Sequence, residues 1–323
     1  MTLPRRRLLQ GLAAYAALPL SACEHNASSI SRDKIMQKYA MKTHAVGRFL
    51  IDLPETAKDL VMSLRIFGTE IEWKRSTAAQ YQTVVTARIN RLKGANPATQ
   101  LFVRDDAGEV PESRIIQFEE DETRDGFIGY EAYHYAEEVG GYFLLTGAAS
   151  RRKVANVIPS VNEVLKLVHP RLTDHTMTAR GIYLDKAFVN GVDPGWGEQV
   201  AIMASIGPIR TRFSTHVVES VDKGPLLLRR AESINGFPEA KVLRKSKREI
   251  AGLIGAEFAF IDIPQASTAF SLEWRYEGQP NSVVAPQMSA SMSSDVEMSI
   301  PQDELLGLWD TILDSIRLRP GAI

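Results

Sequence analysis

The chain carries a single cysteine, Cys23, placed directly behind an apolar run, and no second thiol exists to pair with it. Whatever it folds into must therefore rest on packing and hydrogen bonding, without a covalent staple. The run, Leu8 to Leu18, stands behind Arg5-Arg6-Arg7 and is too short to cross a bilayer core of about 30 Å as a helix. A basic start, a short apolar stretch and small residues before a boundary are the parts of a secretory signal peptide, here residues 1–22.

The boundary itself, Leu20-Ser21-Ala22-Cys23, resembles the lipobox of bacterial lipoproteins. That resemblance implies that Cys23 receives lipid and becomes the new N-terminus, and two or more acyl chains hold a protein to a membrane where one does not. The competing reading is an ordinary signal peptide, or an amphipathic starter helix, with a coincidental cysteine. Pro4-Arg5-Arg6-Arg7-Leu8-Leu9 also looks like a twin-arginine signal, so either export route is open. Glu24 lacks the aspartate that retains lipoproteins at the inner membrane, and the expected place is the periplasm, on the inner leaflet of the outer membrane. Removing 1–22 takes three arginines and no acid, lowering the net charge from −1 to −4. A mildly acidic protein is a poor partner for nucleic acid, which needs a basic face. No second apolar run is long enough to span a membrane.

Glu24 to Lys38 is polar and rich in small residues, and residues 23–43 read as a tether. The first folded segment begins near His44, with Gly47-Arg48-Phe49-Leu50-Ile51-Asp52-Leu53-Pro54 as a strand. Val84 to Leu92 alternates Val85, Ala87 and Ile89 with Thr86, Arg88 and Asn90, and reads as a half-buried strand. Arg114 to Phe118, Gly129 to Tyr135 and Tyr142 to Leu145 follow at short spacing, which suggests antiparallel pairing. Ser160 to Val168 is apolar at helical spacing. After a polar linker, Pro170 to Arg180, Gly181-Ile182-Tyr183-Leu184-Asp185 echoes the Gly47 segment, and each half closes on an amphipathic helix, the last being Gln302 to Leu318. Phe270 to Tyr276 alternates cleanly, and the even positions from Val284 to Ile300 are nearly all apolar, with methionines as core filling. The expected fold is α+β, in two tandem domains of mainly antiparallel sheet packed with helices, residues 44–172 and 173–323.

Residues with chemistry to offer do not converge. His25, His44, His134, His169, His175 and His216 show no metal-ligand spacing, and no Gly-x-Ser-x-Gly elbow is present. Gly191 to Gly197 lacks the third glycine of a dinucleotide loop and reads as a turn; Glu119-Glu120-Asp121-Glu122 reads as a solvated turn rather than a cation loop. Lys241 to Arg248 reads as a basic surface helix first and a docking patch second. No catalytic residue, metal ligand or cofactor is expected.

Gly47 to Pro54, Asp185-Lys186-Ala187-Phe188-Val189, Phe270 to Tyr276 and Pro286 to Met292 together resemble type VI secretion immunity proteins, those cognate to the fourth class of antibacterial lipase effector. The resemblance spans Gly47 to Ile316. It implies two α+β domains that grip a secreted phospholipase and keep its lid domains from opening, with no catalytic residues of their own. The expected partner is therefore that effector, with a membrane held through Cys23, and the interface residues stay unknown. A structural or assembly lipoprotein of the envelope is the alternative, and an enzyme with an unrecognised site is the third reading.

Overall fold

The computed structural model describes residues 31–95, 100–120, 127–171, 179–184, 186–190, 197–221, 241–263, 268–294, 296 and 300–323. The signal peptide, Cys23 and the first part of the tether lie outside them.

In chain order the elements of the first half are α1 (Arg32–Lys38), β1 (Met41–Val46), β2 (Phe49–Pro54), β3 (Lys58–Ile66), β4 (Thr69–Arg75), α2 (Ala78–Lys93), β5 (Gln100–Ala107), β6 (Ser113–Glu120), β7 (Phe127–Ala136), β8 (Gly141–Ser150), α3 (Val157–Leu167) and β9 (Val168–Pro170). The second half adds β10 (Gly181–Tyr183), β11 (Ala187–Asn190), β12 (Gln199–Ile206), β13 (Ile209–His216), β14 (Lys241–Ile250), β15 (Leu253–Ile263), β16 (Thr268–Tyr276), β17 (Gln287–Ser294), α4 (Gln302–Ser315) and β18 (Arg317–Leu318).

Twelve strands make one sheet, in the order β14-β15-β16-β17-β13-β12-β3-β4-β8-β7-β6-β5. Every pairing in it is antiparallel, as short connections favour. The halves meet at β3 and β12, in register from Arg65 opposite Gln199 to Val61 opposite Met203, with a bulge before Ser205. An apolar layer runs along one face of this sheet from β6 to β16. Ile115, Ala132, Leu145, Ile71, Leu64, Val200, Ile202, Phe213, Ala290 and Trp274 lie along it, and α3, α4 and the small β1-β2-β18 sheet supply Val161, Leu165, Trp309, Ile312, Phe49 and Ile51 against them. At about 1.5–3 kcal/mol for each large apolar side chain withdrawn from water, this continuous layer dominates the fold.

The two echoing segments touch. Gly47 N–H donates to the Tyr183 carbonyl at 2.8 Å and Tyr183 N–H donates back at 3.0 Å. The first hairpin belongs as much to the C-terminal elements as to its own half, since Leu50 and Phe49 pair with Arg317 and Leu318.

Five readings of local structure change. Val84 to Leu92 is the body of α2, because Thr77 and Gln80 form a reciprocal cap and Tyr81, Val85 and Leu92 turn to one side while Val84 stays exposed. An apolar alternation this short does not exclude a helix, and the cap upstream decides the matter. Lys241 to Arg248 is not a surface helix but most of the edge strand β14; its cations divide by strand period, Arg244 and Arg248 to one face and Lys245 and Lys247 to the other. The tether is folded from Arg32, where Ile35 is buried against the core and Lys38 and Tyr39 both reach Glu304 on α4, at 2.5 and 2.7 Å. The last helix stops at Ser315, and its final residues become β18. The methionine-rich alternation holds within β17, and Ile300 packs against the core, but Val284 and Val296, at 48% and 55% exposure, lie outside the packed face; Met298 is outside the described residues.

Candidate partner-binding surface

An enzyme would need, among its cavities, one lined with a nucleophile, a base or a metal cage. The first, about 640 Å³, lies between α3 and the β3–β4 turn and is walled by Phe67, Tyr130, Val157, Val161 and Leu167; its buried hydroxyls, Thr69 and Tyr130, satisfy each other at 2.6 Å. A second, of about 720 Å³, mixes Arg75, Arg171 and Lys186 with Glu137 and Glu138. A third, of about 550 Å³, holds His134 beside Glu112, Glu137 and Glu138. His134 stacks on Phe143 with ring centroids 6.1 Å apart, and burial pushes its pKa below the ordinary imidazole value, against the backbone of Pro111 and the charge of Glu138. Of the sequence-flagged histidines this one sits in β7 as a packed residue. Among the described residues no three metal-ligating side chains come together.

Buried charge is spent on holding elements together. On α4, Trp309 Nε1 donates to Glu257 at 2.8 Å, and Arg244 and Arg248 on β14 reach both Glu257 and Asp310. The guanidinium groups hold the Asp310 carboxyl below the usual aspartate range although burial alone works the other way. Arg48 and Glu198 form a second pair at 2.8 Å. Arg319 lies 4.1 Å from the centre of the Tyr183 ring and donates to the carbonyls of Ala179 and Gly181, which fastens the C-terminal tail to the inter-half connection. These clusters are internal and present nothing to a ligand.

The second face of the long sheet is built differently. Over β5, β6, β7 and β8 it is closed by α2, whose Tyr81, Val85 and Leu92 cover Ile116, Phe118, Tyr133 and Tyr142, and whose Arg88 grips Glu131 with two nitrogens at 2.6–3.1 Å. At the far side Phe258 and Phe260 are buried on that face of β15. Between these covered ends the outward rows of β3, β12, β13 and β17 face solvent. Cross-strand partners share a face, so Val61, Met203, Arg212 and Ser291 form one row and Ser205, Arg210 and Ser293 the next. Val61 and Met203 are 49% and 44% exposed at the middle of it, and Arg65, Arg210 and Arg212 are exposed around them. On these four strands the one carboxylate is Asp59, exposed near the start of β3 beside Lys58.

Of the residues singled out in the sequence, Cys23, His25, His175, Asp121 and Glu122 lie outside the described residues, as does the glycine-rich turn up to Trp196. Glu119 closes on Arg151. The exposed serine- and arginine-bearing rows were missed, because each strand contributes only two or three of their residues and only the pairing order assembles them.

Comparison with known proteins places both halves in one family. Residues 42–158 match the profile of the Tle cognate immunity protein 4 N-terminal domain, and residues 177–321 that of the C-terminal domain. Among solved structures, the apo immunity protein TplEi of the type VI secretion system of Pseudomonas aeruginosa is similar at a TM-score of 0.72 and 21% identity, covering 89% of this chain and 100% of that one. A chain in the crystal structure of a Tle4–Tli4 complex is similar at 0.71 and 21% identity, covering 87% of this chain and 98% of that one. TplEi with an "L" peptide gives 0.65 at 22% identity, covering 87% and 98%. No curated protein matches the chain.

Proposed function

The chain belongs to the Tle cognate immunity protein 4 family, and we propose that it protects its cell by binding and inhibiting a type VI secreted phospholipase in the periplasm, from a lipid anchor at Cys23. The observation that carries this is the match of both halves, in order, to the two domains of that family. The Tle4–Tli4 complex supports a protein effector as the partner. Such a protein works by occupying a surface and is not an enzyme, so its chemistry is that of an interface.

The anchored, periplasmic form rests on the sequence: Arg5-Arg6-Arg7, the short apolar run and Leu20-Ser21-Ala22-Cys23. With α1 beginning at Arg32, Glu24 to Ser31 would join the lipid to the folded part. An inhibitor held beside the membrane is concentrated where a phospholipase attacks. The two units, 44–172 and 173–323, would then grip the enzyme together, and the separate family profiles for 42–158 and 177–321 support a division near residue 175.

Purified mature protein mixed with the lipase encoded beside it should form a stable complex and suppress ester hydrolysis. An unbound, uninhibited lipase would defeat the reading. For the anchor, Cys23→Ala should move the protein from the membrane fraction to the soluble periplasm or leave it uncleaved, with palmitate labelling lost; unchanged labelling would defeat lipidation.

A further inference from the structure

We propose that the uncovered face of the central strands β3, β12, β13 and β17 is where the chain seats its effector, and that the surface it accepts there is acidic with an apolar centre. The inference rests on the immunity reading above and adds to it the place and the chemistry of the contact.

Three observations on this face converge. First, a long sheet normally hides both faces or wets one evenly. Here α2 covers one end and Phe258 and Phe260 are buried at the other, yet the middle, where the halves join, carries Val61 and Met203 side by side in register and half exposed. Second, the side chains around that pair are short: Ser63, Ser205, Ser214, Ser289, Ser291 and Ser293. They make a flat floor, and Ser214 and Ser289 bond each other at 2.8 Å instead of reaching out. A partner can come close to such a floor with little side-chain entropy to lose.

Third, the charge is mainly positive. The chain as a whole has a net charge of −1, but the four strands of this patch hold Lys58, Arg65, Arg210 and Arg212 against one carboxylate, Asp59, with Glu70 facing Arg65 from β4. The same face continues through Arg275 to Lys245 and Lys247 on the β14 edge, with Glu273 and Glu249 as the opposing charges. An apolar centre ringed by arginines is the composition of a protein interface core, and its field would steer a partner of opposite sign. An anionic lipid surface is the rival occupant. It is disfavoured by the serine floor, which offers no long apolar side chains to enter a membrane, since Val61 and Met203 are the only exposed large ones in these rows.

The test uses the mature chain and the neighbouring lipase, with binding measured by calorimetry at low and moderate salt. Arg212→Glu and Met203→Asp should each weaken Kd by about 30-fold or more, the scale of a central hot spot. Wild-type association should slow as salt rises. Arg152→Glu, at an exposed position in the connection leading to α3, should leave Kd unchanged. Melting curves confirm that each variant is folded, and Arg212→Lys should restore part of the affinity in any case where Arg212→Glu is unstable. If wild type binds and the folded face variants bind equally well, the face is wrong and the immunity reading stands. If wild type does not bind the lipase, both fall. If the variants keep the lipase but lose phosphatidylglycerol vesicles that wild type binds, the face is a lipid surface and the proposal is overturned.

Discussion

Arg48 Nε donates to the Glu198 carboxylate at 2.8 Å, with both side chains only 3% exposed, and the same guanidinium donates through Nη1 to the Ala322 carbonyl at 2.7 Å. One side chain thus ties the turn after β1 to the residue before β12 and to the C-terminal tail. Glu198 is buried deeply enough that its pKa is raised despite Arg48, which pulls it down both through its charge and through the hydrogen bond.

Arg48→Ala should destabilise the protein by about 3–5 kcal/mol, the usual cost of stranding one member of a buried pair. Replacing both, as Arg48→Met with Glu198→Leu, should cost far less. The midpoint of urea denaturation separates the two outcomes. Equal losses for the single and double variants would mean that the pair, and not the stranded charge, sets the stability.

Glu198 also fixes the sign of a pH effect. A carboxyl whose folded pKa is raised gives stability that is complete below the unfolded glutamate pKa and is lost as pH rises through the folded value. Removing Arg48 takes away what lowers it, so Arg48→Ala should lose stability more steeply than wild type between the ordinary glutamate pKa and neutrality. Denaturation midpoints across that window check this.

Asp310 has the opposite sign. Burial acts to raise its pKa, but the hydrogen bonds and charges of Arg244 and Arg248 outweigh it and hold the value below the usual aspartate range. Its contribution is present above the unfolded aspartate pKa and disappears as pH falls through the folded one. Asp310→Asn should flatten the acid limb of the stability profile while lowering stability at neutral pH. An unchanged acid limb would place the acid sensitivity elsewhere.

What could be read from the sequence follows from how each signal is encoded. Helix α4 was visible because Leu305, Leu306, Trp309, Ile312 and Leu313 repeat at helical spacing and all are buried on one core. Strand β16 was visible because Phe270, Leu272 and Trp274 alternate toward the same core. Helix α2 was missed because its burial is sparse, resting on Tyr81, Val85 and Leu92, and its mark is the cap at Thr77 and Gln80 rather than the apolar pattern. Helix α1 was missed because one buried residue, Ile35, does not make a pattern. The single sheet running through both halves was beyond reach, since it depends on β3 pairing with β12, far along the chain. The open face depends on that same pairing.

The cap on α2 makes its own prediction. Thr77 accepts from Gln80 N–H at 3.3 Å and Gln80 Oε1 accepts from Thr77 N–H at 3.0 Å. Thr77→Ala should cost about 1 kcal/mol. Because α2 covers Ile116, Phe118 and Tyr133, hydrogen exchange should rise first in β6 and β7.

Gly47 makes a close contact between the halves. Its φ is +63°, a left-handed conformation that costs a side chain about 1–2 kcal/mol. A Cβ there would stand 2.9 Å from Val200 Cγ2 on β12, closer than real Cβ atoms come, so the neighbour must move as well. Gly47→Ala should therefore cost roughly 2–4 kcal/mol, combining backbone strain with overpacking. The two parts separate in a double-mutant cycle. In a Val200→Ala background the 2.9 Å contact with Cγ2 is gone and the nearest remaining atom of that side chain, its Cβ, stands at 3.3 Å, so the loss should shrink toward the backbone share. A coupling of roughly 1 kcal/mol or more between the sites would confirm the clash. Strict additivity would mean that Val200 yields freely and that only the backbone conformation demands glycine at position 47.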